Sequence, residues 1–243
     1  RMLADVFPDD TVARILANPS NDVAVHVVRW RGPWPWRTRA LQVAAMAAVS
    51  GLRRVGVRAT GAVLERVLVH ARPGALDARF DGVVVPMDRG NARAAALASG
   101  AVPIYVQPVL DIAGAPSGAY SDGGIGDYHL RQSWLAVGQG VVLLPHFQEP
   151  ILGDLFDRFE AGARPPAGAL EDVVQVFRSQ RWVETLPGGR LPDRDDFFRF
   201  VDAPEERIRR WNEAVARSEA LGEAFLRDVA SGDLATRVRP IAG

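Results

Sequence analysis

Residues 91–124 change backbone character three times in quick succession, and few folds accommodate that order. Asn91 to Ser99 is alanine-rich and reads as a helix. Gly100-Ala101-Val102-Pro103 ends it, because proline cannot continue an α-helical run and restricts the residue before it. The pattern then predicts a strand from Ile104 to Ile112, and a second short extended run closes on Tyr120-Ser121-Asp122-Gly123-Gly124. A helix, extended segments and an acidic turn in this order call for helices layered on a sheet.

The rest of the chain agrees with an α/β fold. Asp9-Asp10 can cap a helix from Thr11 to Ala17, with Ile15 and Leu16 inward and Asn18-Pro19 as its stop. Asp22 to Arg29, Val67 to His70, Gly82 to Val85, Val141 to Leu144 and residues 172–178 read as strands. Ala40 to Leu52 is the longest apolar run. Gln42 and Ser50 interrupt it, and it is shorter than the ~20 residues of a membrane span, so a packed helix is expected. Asp202-Ala203-Pro204-Glu205 opens as a capping box with proline in the first turn. Ile208, Trp211, Val215, Leu221, Phe225 and Val229 then keep close to helical spacing until Gly232, which predicts a long C-terminal amphipathic helix. The organisation expected is one domain over residues 1–200 followed by this helix and tail over 201–243.

Charge narrows the partners. The 29 basic and 29 acidic residues cancel, so nothing in the balance attracts nucleic acid. All the basic residues are arginine, and cysteine is absent, which removes disulfides, thiolate nucleophiles and cysteine-bound metals. The segment Arg29-Trp30-Arg31-Gly32-Pro33-Trp34-Pro35-Trp36-Arg37 carries three tryptophans and three arginines. Trp30, Trp34 and Trp36 suit a lipid interface, with indoles at headgroup depth and guanidinium groups on phosphates; a proline-stiffened loop packed on the body is the competing reading.

The succession Ala-Ser-Gly-Ala-Val-Pro, an extended run with Pro108-Val109, Tyr-Ser-Asp-Gly-Gly, Asp127-Tyr128-His129-Leu130, Val141 to Phe147 and Leu186 to Asp193 resembles a bacterial branch of the patatin-like phospholipase (lipid acyl hydrolase) family. The resemblance spans roughly residues 1–200, with 85–150 its core. It implies a three-layer α/β/α sheet and a lipid or other carboxylic ester as substrate, with no cofactor. It also implies that Asp122 is the base of a Ser-Asp dyad, with Gly123 and Gly124 letting a nucleophile turn approach and Asp127 and His129 bracing the site. The chain departs from the family where the nucleophile belongs: it has neither a Gly-x-Gly-x-x-Gly loop nor a Gly-x-Ser-x-Gly elbow, and Ser50, Ser99 and Ser117 do not stand in one.

The resemblance therefore implies that the nucleophile and the first strands of the sheet precede Arg1. It also implies an open edge or apolar groove beside Asp122, self-association through that edge, and a cytoplasmic or peripheral-membrane location. Three alternatives remain open. The Asp-Gly-Gly run is also a common turn sequence; Asp122, Asp127 and His129 offer two carboxylates and an imidazole to a metal; and a non-catalytic scaffold of the same family would bind lipid or protein.

Overall fold

The computed structural model describes residues 7–19, 22–32, 38–55, 60–72, 74, 80–128, 140–149, 151, 170, 172–193 and 195–240. The chain divides into two compact units, one comprising Arg1–Gly140 with Ile151–Asp172, the other Val141–Pro150 with Val173–Gly243. Residues 173–200 thus fall with the C-terminal helix.

The first unit is built on a five-stranded mixed sheet. In chain order its elements are α1 (Asp9–Ala17), β1 (Ala24–Trp30), α2 (Arg39–Val55), β2 (Leu64–His70), β3 (Val83–Pro86), α3 (Ala92–Ser99), β4 (Val109–Leu110) and β5 (Ala119–Asp122). The sheet order is β3-β2-β1-β5-β4. β1 is antiparallel to both β2 and β5, β2 runs parallel to β3, and β4 is antiparallel to β5.

Alternation along the strands sorts the core into two faces. Val27, Val67, Val69, Val85 and Tyr120 pack with Ala95 and Ala98 of α3, and Leu16 of α1 lies against them. Val28, Trp30, Leu64, Ala119 and Ile125 pack with Ala45 and Val49 of α2. Alanine at the helix contacts lets backbone approach sheet, and each buried valine of β1 and β2 contributes about 1.5–3 kcal/mol. A buried asparagine ties the elements together: Asn91 donates to the carbonyls of Pro86 and Ala113 and accepts from the Asp88 N–H, joining the end of β3, the start of α3 and the β4–β5 loop.

Several local expectations change. Asp9 and Asp10 lie in the first turn of α1 with Pro8 at the cap, and no side chain caps that helix. The strand expected from Ile104 to Ile112 shrinks to Val109–Leu110, because Pro103–Tyr105 form a turn in which Ile104 has φ 76°. A β-branched residue in the left-handed region is strained by about 1–3 kcal/mol. Nor is Asp122 beside an open sheet edge: β5 lies between β1 and β4, and the Asp122 N–H, pointing away from β1, is taken by the Ala101 carbonyl at 3.1 Å.

The second unit holds a parallel pair, β6 (Val142–His146) and β7 (Val173–Phe177), then α4 (Gln180–Glu184), α5 (Asp196–Arg199), α6 (Pro204–Ser231) and α7 (Leu234–Arg237). α6 starts with proline in its first turn, but Ala203 is its cap and no side chain bonds to it. Gly232, at φ 80°, ends it in the left-handed conformation that a Cβ would penalise. Ion pairs three and four residues apart (Glu206 with Arg209 and Arg210, Glu213 with Arg209 and Arg217) lace its N-terminal half, and Ala214 is its one fully buried residue. Ile208, Val215, Leu226 and Val229 are exposed, so the apolar stripe of the sequence is only partly covered. Among the described residues no helix is long and apolar enough to cross a membrane.

Candidate functional site around Asp122

β5 sends successive residues to the two covered faces of the sheet, Ala119, Tyr120 and Ser121 all buried, up to Asp122, which pairs with Val27 of β1 and ends the strand. The chain then tightens into a 3-10 turn, Gly123–Ile125, and the Asp122 side chain caps it: Oδ1 accepts the Gly124 N–H at 2.8 Å. The carboxylate is half-buried. Desolvation raises its pKa above the ordinary aspartate value, and the Gly124 N–H pulls only partly against that rise. A carboxylate in this condition is a better proton acceptor than one in water.

The two glycines play different parts. A Cβ on Gly123 would lie 2.5 Å from His26 Nδ1 and 2.6 Å from the His26 carbonyl oxygen. The room that Gly123 leaves is therefore occupied by β1 of this same chain, not held open for an incoming turn. A Cβ on Gly124 would lie 3.2 Å from both the Tyr128 ring and Asp122 Oδ1.

Behind the turn, Asp127 is buried and pairs with Arg66 of β2 at 2.6 Å, while its own N–H returns to the Gly123 carbonyl at 2.9 Å. Asp127 thus braces the turn by anchoring its exit to the neighbouring strand. His26 completes this underside. Its ring packs edge-on to Phe80 with 5.7 Å between centroids, and neither ring nitrogen has a hydrogen-bond partner among the described residues. Burial first, and the Arg66 charge second, depress its pKa to about 3, so the imidazole is neutral at physiological pH. Nothing local in the sequence pointed to His26 or Arg66. Their signal was the strand register, which sets His26 opposite Gly123 and Arg66 opposite Val28.

The remaining sequence candidates separate from this cluster. Trp30 is not at an interface: it is the last residue of β1, 1% exposed, and its Nε1 donates to Ser121 Oγ at 3.0 Å. It continues the buried face of Val28, and that two-residue step was the signal for a core position. His129, Trp34 and Trp36 lie outside the described residues. No group of three histidine, cysteine, aspartate or glutamate side chains placed to hold a metal occurs among the described residues, and Asp127 is committed to Arg66. Comparison with protein-family models, with curated proteins and with solved structures gives no match.

Proposed function

We propose that this chain carries the base half of a patatin-like serine-dependent lipid acyl hydrolase, with Asp122 as the proton acceptor and a carboxylic ester of a lipid as substrate. The half-buried Asp122 carboxylate at the end of β5, raised in pKa and held by one backbone N–H among the described residues, carries this reading. With Oδ1 accepting the Gly124 N–H, the lone pairs of Oδ2 are left to take a proton. Oδ2 accepts the proton of a serine Oγ as that oxygen bonds to the ester carbonyl carbon, and returns it to the departing alcohol as the C–O bond breaks. A water molecule deprotonated by the same carboxylate then cleaves the acyl-serine and frees the fatty acid.

In this reading the serine elbow and the oxyanion loop stand on residues that precede Arg1. The helices on the two faces of the five-stranded sheet are then part of a three-layer α/β/α patatin-like sheet whose first strands would accompany that elbow. The test is hydrolysis of p-nitrophenyl and phospholipid esters by the product of the longer reading frame. Turnover is expected there, falling about 10²–10⁴-fold in Asp122→Asn, and the 243-residue chain alone should stay at background. Undiminished turnover in Asp122→Asn overturns the role of Asp122, and no turnover in the longer product favours a non-catalytic scaffold.

A further inference from the structure

The segment that bonds to the Asp122 backbone on the side away from β1 is held by α2, which packs on the other face of the sheet. Its start, Ala101, accepts the Asp122 N–H. Its turn passes through Ile104 at φ 76°, a conformation that β-branched side chains avoid. Local bonds do not explain that conformation: Tyr105 and Val106 both donate to the Val102 carbonyl, as in any tight turn. The restraint comes from α2. Gln42, in the first turn of that helix and 2% exposed, accepts the Ile104 N–H on Oε1 at 2.5 Å and donates from Nε2 to Gln107 Oε1 at 3.3 Å. One buried amide thus grips the strained peptide with its acceptor and the far end of the turn with its donor.

Strained backbone persists where its surroundings over-determine it. We infer that Gln42 is a positioning residue for Asp122: by clamping Ile104 and Gln107, it fixes the 101–107 segment against the end of β5 and so keeps water from the carboxylate. This rests on the reading of Asp122 as the proton acceptor. Loss of the clamp lets Ile104 relax to negative φ, moves the segment and hydrates Asp122. No charged group acts on the carboxylate among the described residues, where its influences are burial and the Gly124 N–H, and Arg66 and Asp127 are paired with each other beneath the turn.

The experiment is a cycle of Gln42→Leu, Ile104→Gly and the double variant. It is read by thermal unfolding, by carboxyl-carbon NMR titration of Asp122, and by amide hydrogen exchange of Ile104 in the unaltered chain. Glycine relieves strain only while the strain exists, so Ile104→Gly should change the unfolding midpoint more favourably in the parent chain than in the Gln42→Leu background. Gln42→Leu should move the Asp122 titration midpoint down towards an ordinary aspartate. The Ile104 amide should exchange slowly although it sits in a turn.

Equal effects of Ile104→Gly in both backgrounds, or an unmoved Asp122 midpoint in folded Gln42→Leu, overturn the inference. Should Gln42→Leu fail to fold, fast exchange at Ile104 overturns it and slow exchange supports it. An ordinary Asp122 midpoint in the unaltered chain removes the catalytic reading instead, and the midpoint cycle still reports the clamp.

Discussion

Asp122 and Asp196 are both aspartates drawn in from solvent, one at the end of β5 in the first unit and the other at the start of α5 in the second, and they titrate in opposite directions. For each, burial is the largest single influence and pushes the pKa up. Among the described residues Asp122 meets a single opposing donor, the Gly124 N–H, and stays raised. Asp196 receives Arg190, Trp211 Nε1 at 2.9 Å and the Asp193 N–H at 3.2 Å, with Arg199 at 3.3 Å, and these outweigh burial to hold it at about 2. The number and charge of the donors set against burial separate a carboxylate that can take a proton from one that serves as a clasp. Around Asp196 the clasp is extended by Phe197 set edge-on to Trp211, and by Arg207 and Arg210 over the rings of Phe197 and Phe200.

The contrast predicts unequal costs of removal. Asp196→Ala removes the acceptor of the Trp211 N–H and the buried partner of Arg190, which keeps only the Leu191 carbonyl and Asp193, and should destabilise the second unit by about 1–3 kcal/mol. Urea unfolding followed by tryptophan fluorescence measures this, and a loss below about 0.5 kcal/mol would show Asp196 to be ornamental. Comparable in size is Gly123→Ala, whose Cβ has to displace β1 backbone at His26. It should cost roughly 1–3 kcal/mol and move Asp122 towards water, visible as a lower Asp122 titration midpoint. An unchanged midpoint would mean that the environment of Asp122 does not depend on the β1–β5 contact.

Acid separates the two aspartates further. The folded pKa of Asp196, about 2, is below its unfolded value, so the stability it contributes is present at neutral pH and drains away as pH falls from about 4 to about 2. Asp196→Asn should flatten that part of the stability profile. His26, depressed to about 3, adds a loss in the same direction: it is neutral when folded and must take up a proton in the unfolded chain below about 6.5. Its share begins nearer neutrality, and His26→Phe should remove it.

What the sequence disclosed follows from range along the chain. α3 and its stop at Gly100, the β5 turn and the span of α6 were legible because each is written in adjacent residues: an alanine run before glycine and proline, an aspartate before two glycines, an apolar stripe ending at glycine. What surrounds Asp122 was not. Gln42 stands 62 residues from Ile104, and Arg66 stands 61 from Asp127. Only the pairing of β1 with β2 and β5, and the packing of α2 on that sheet, bring them together. The reading of Ile104 to Ile112 as one strand failed for a similar reason. The apolar pattern there was sound, but Gln42 draws the Ile104 peptide out of extended conformation, and Pro103 and Pro108 have no N–H to give a ladder. Trp30 misled through its neighbours: grouped with Trp34 and Trp36 it suggested a surface, whereas its step of two from Val28 placed it inside.

The smallest effect is also the one whose sign distinguishes Asp122 from the Asp196 clasp. A carboxylate whose folded pKa is raised binds its proton more tightly when folded. The stability it contributes is therefore fully present below the unfolded pKa and is lost as pH rises through the folded one. At neutral pH the ionised Asp122 is a burden on the fold, and Asp122→Asn, which keeps the shape and an acceptor for the Gly124 N–H, should relieve it. Because the group is part-exposed and screened by water, the gain is roughly 0.5 kcal/mol or less, and it should vanish near pH 3, where the parent is protonated as well. Paired urea titrations at pH 7 and pH 3 measure it, with Asp196→Asn as the opposite-signed control. Destabilisation at pH 7 by Asp122→Asn would mean that Asp122 is held by donors as Asp196 is, and that the end of β5 is a structural clasp and no proton acceptor.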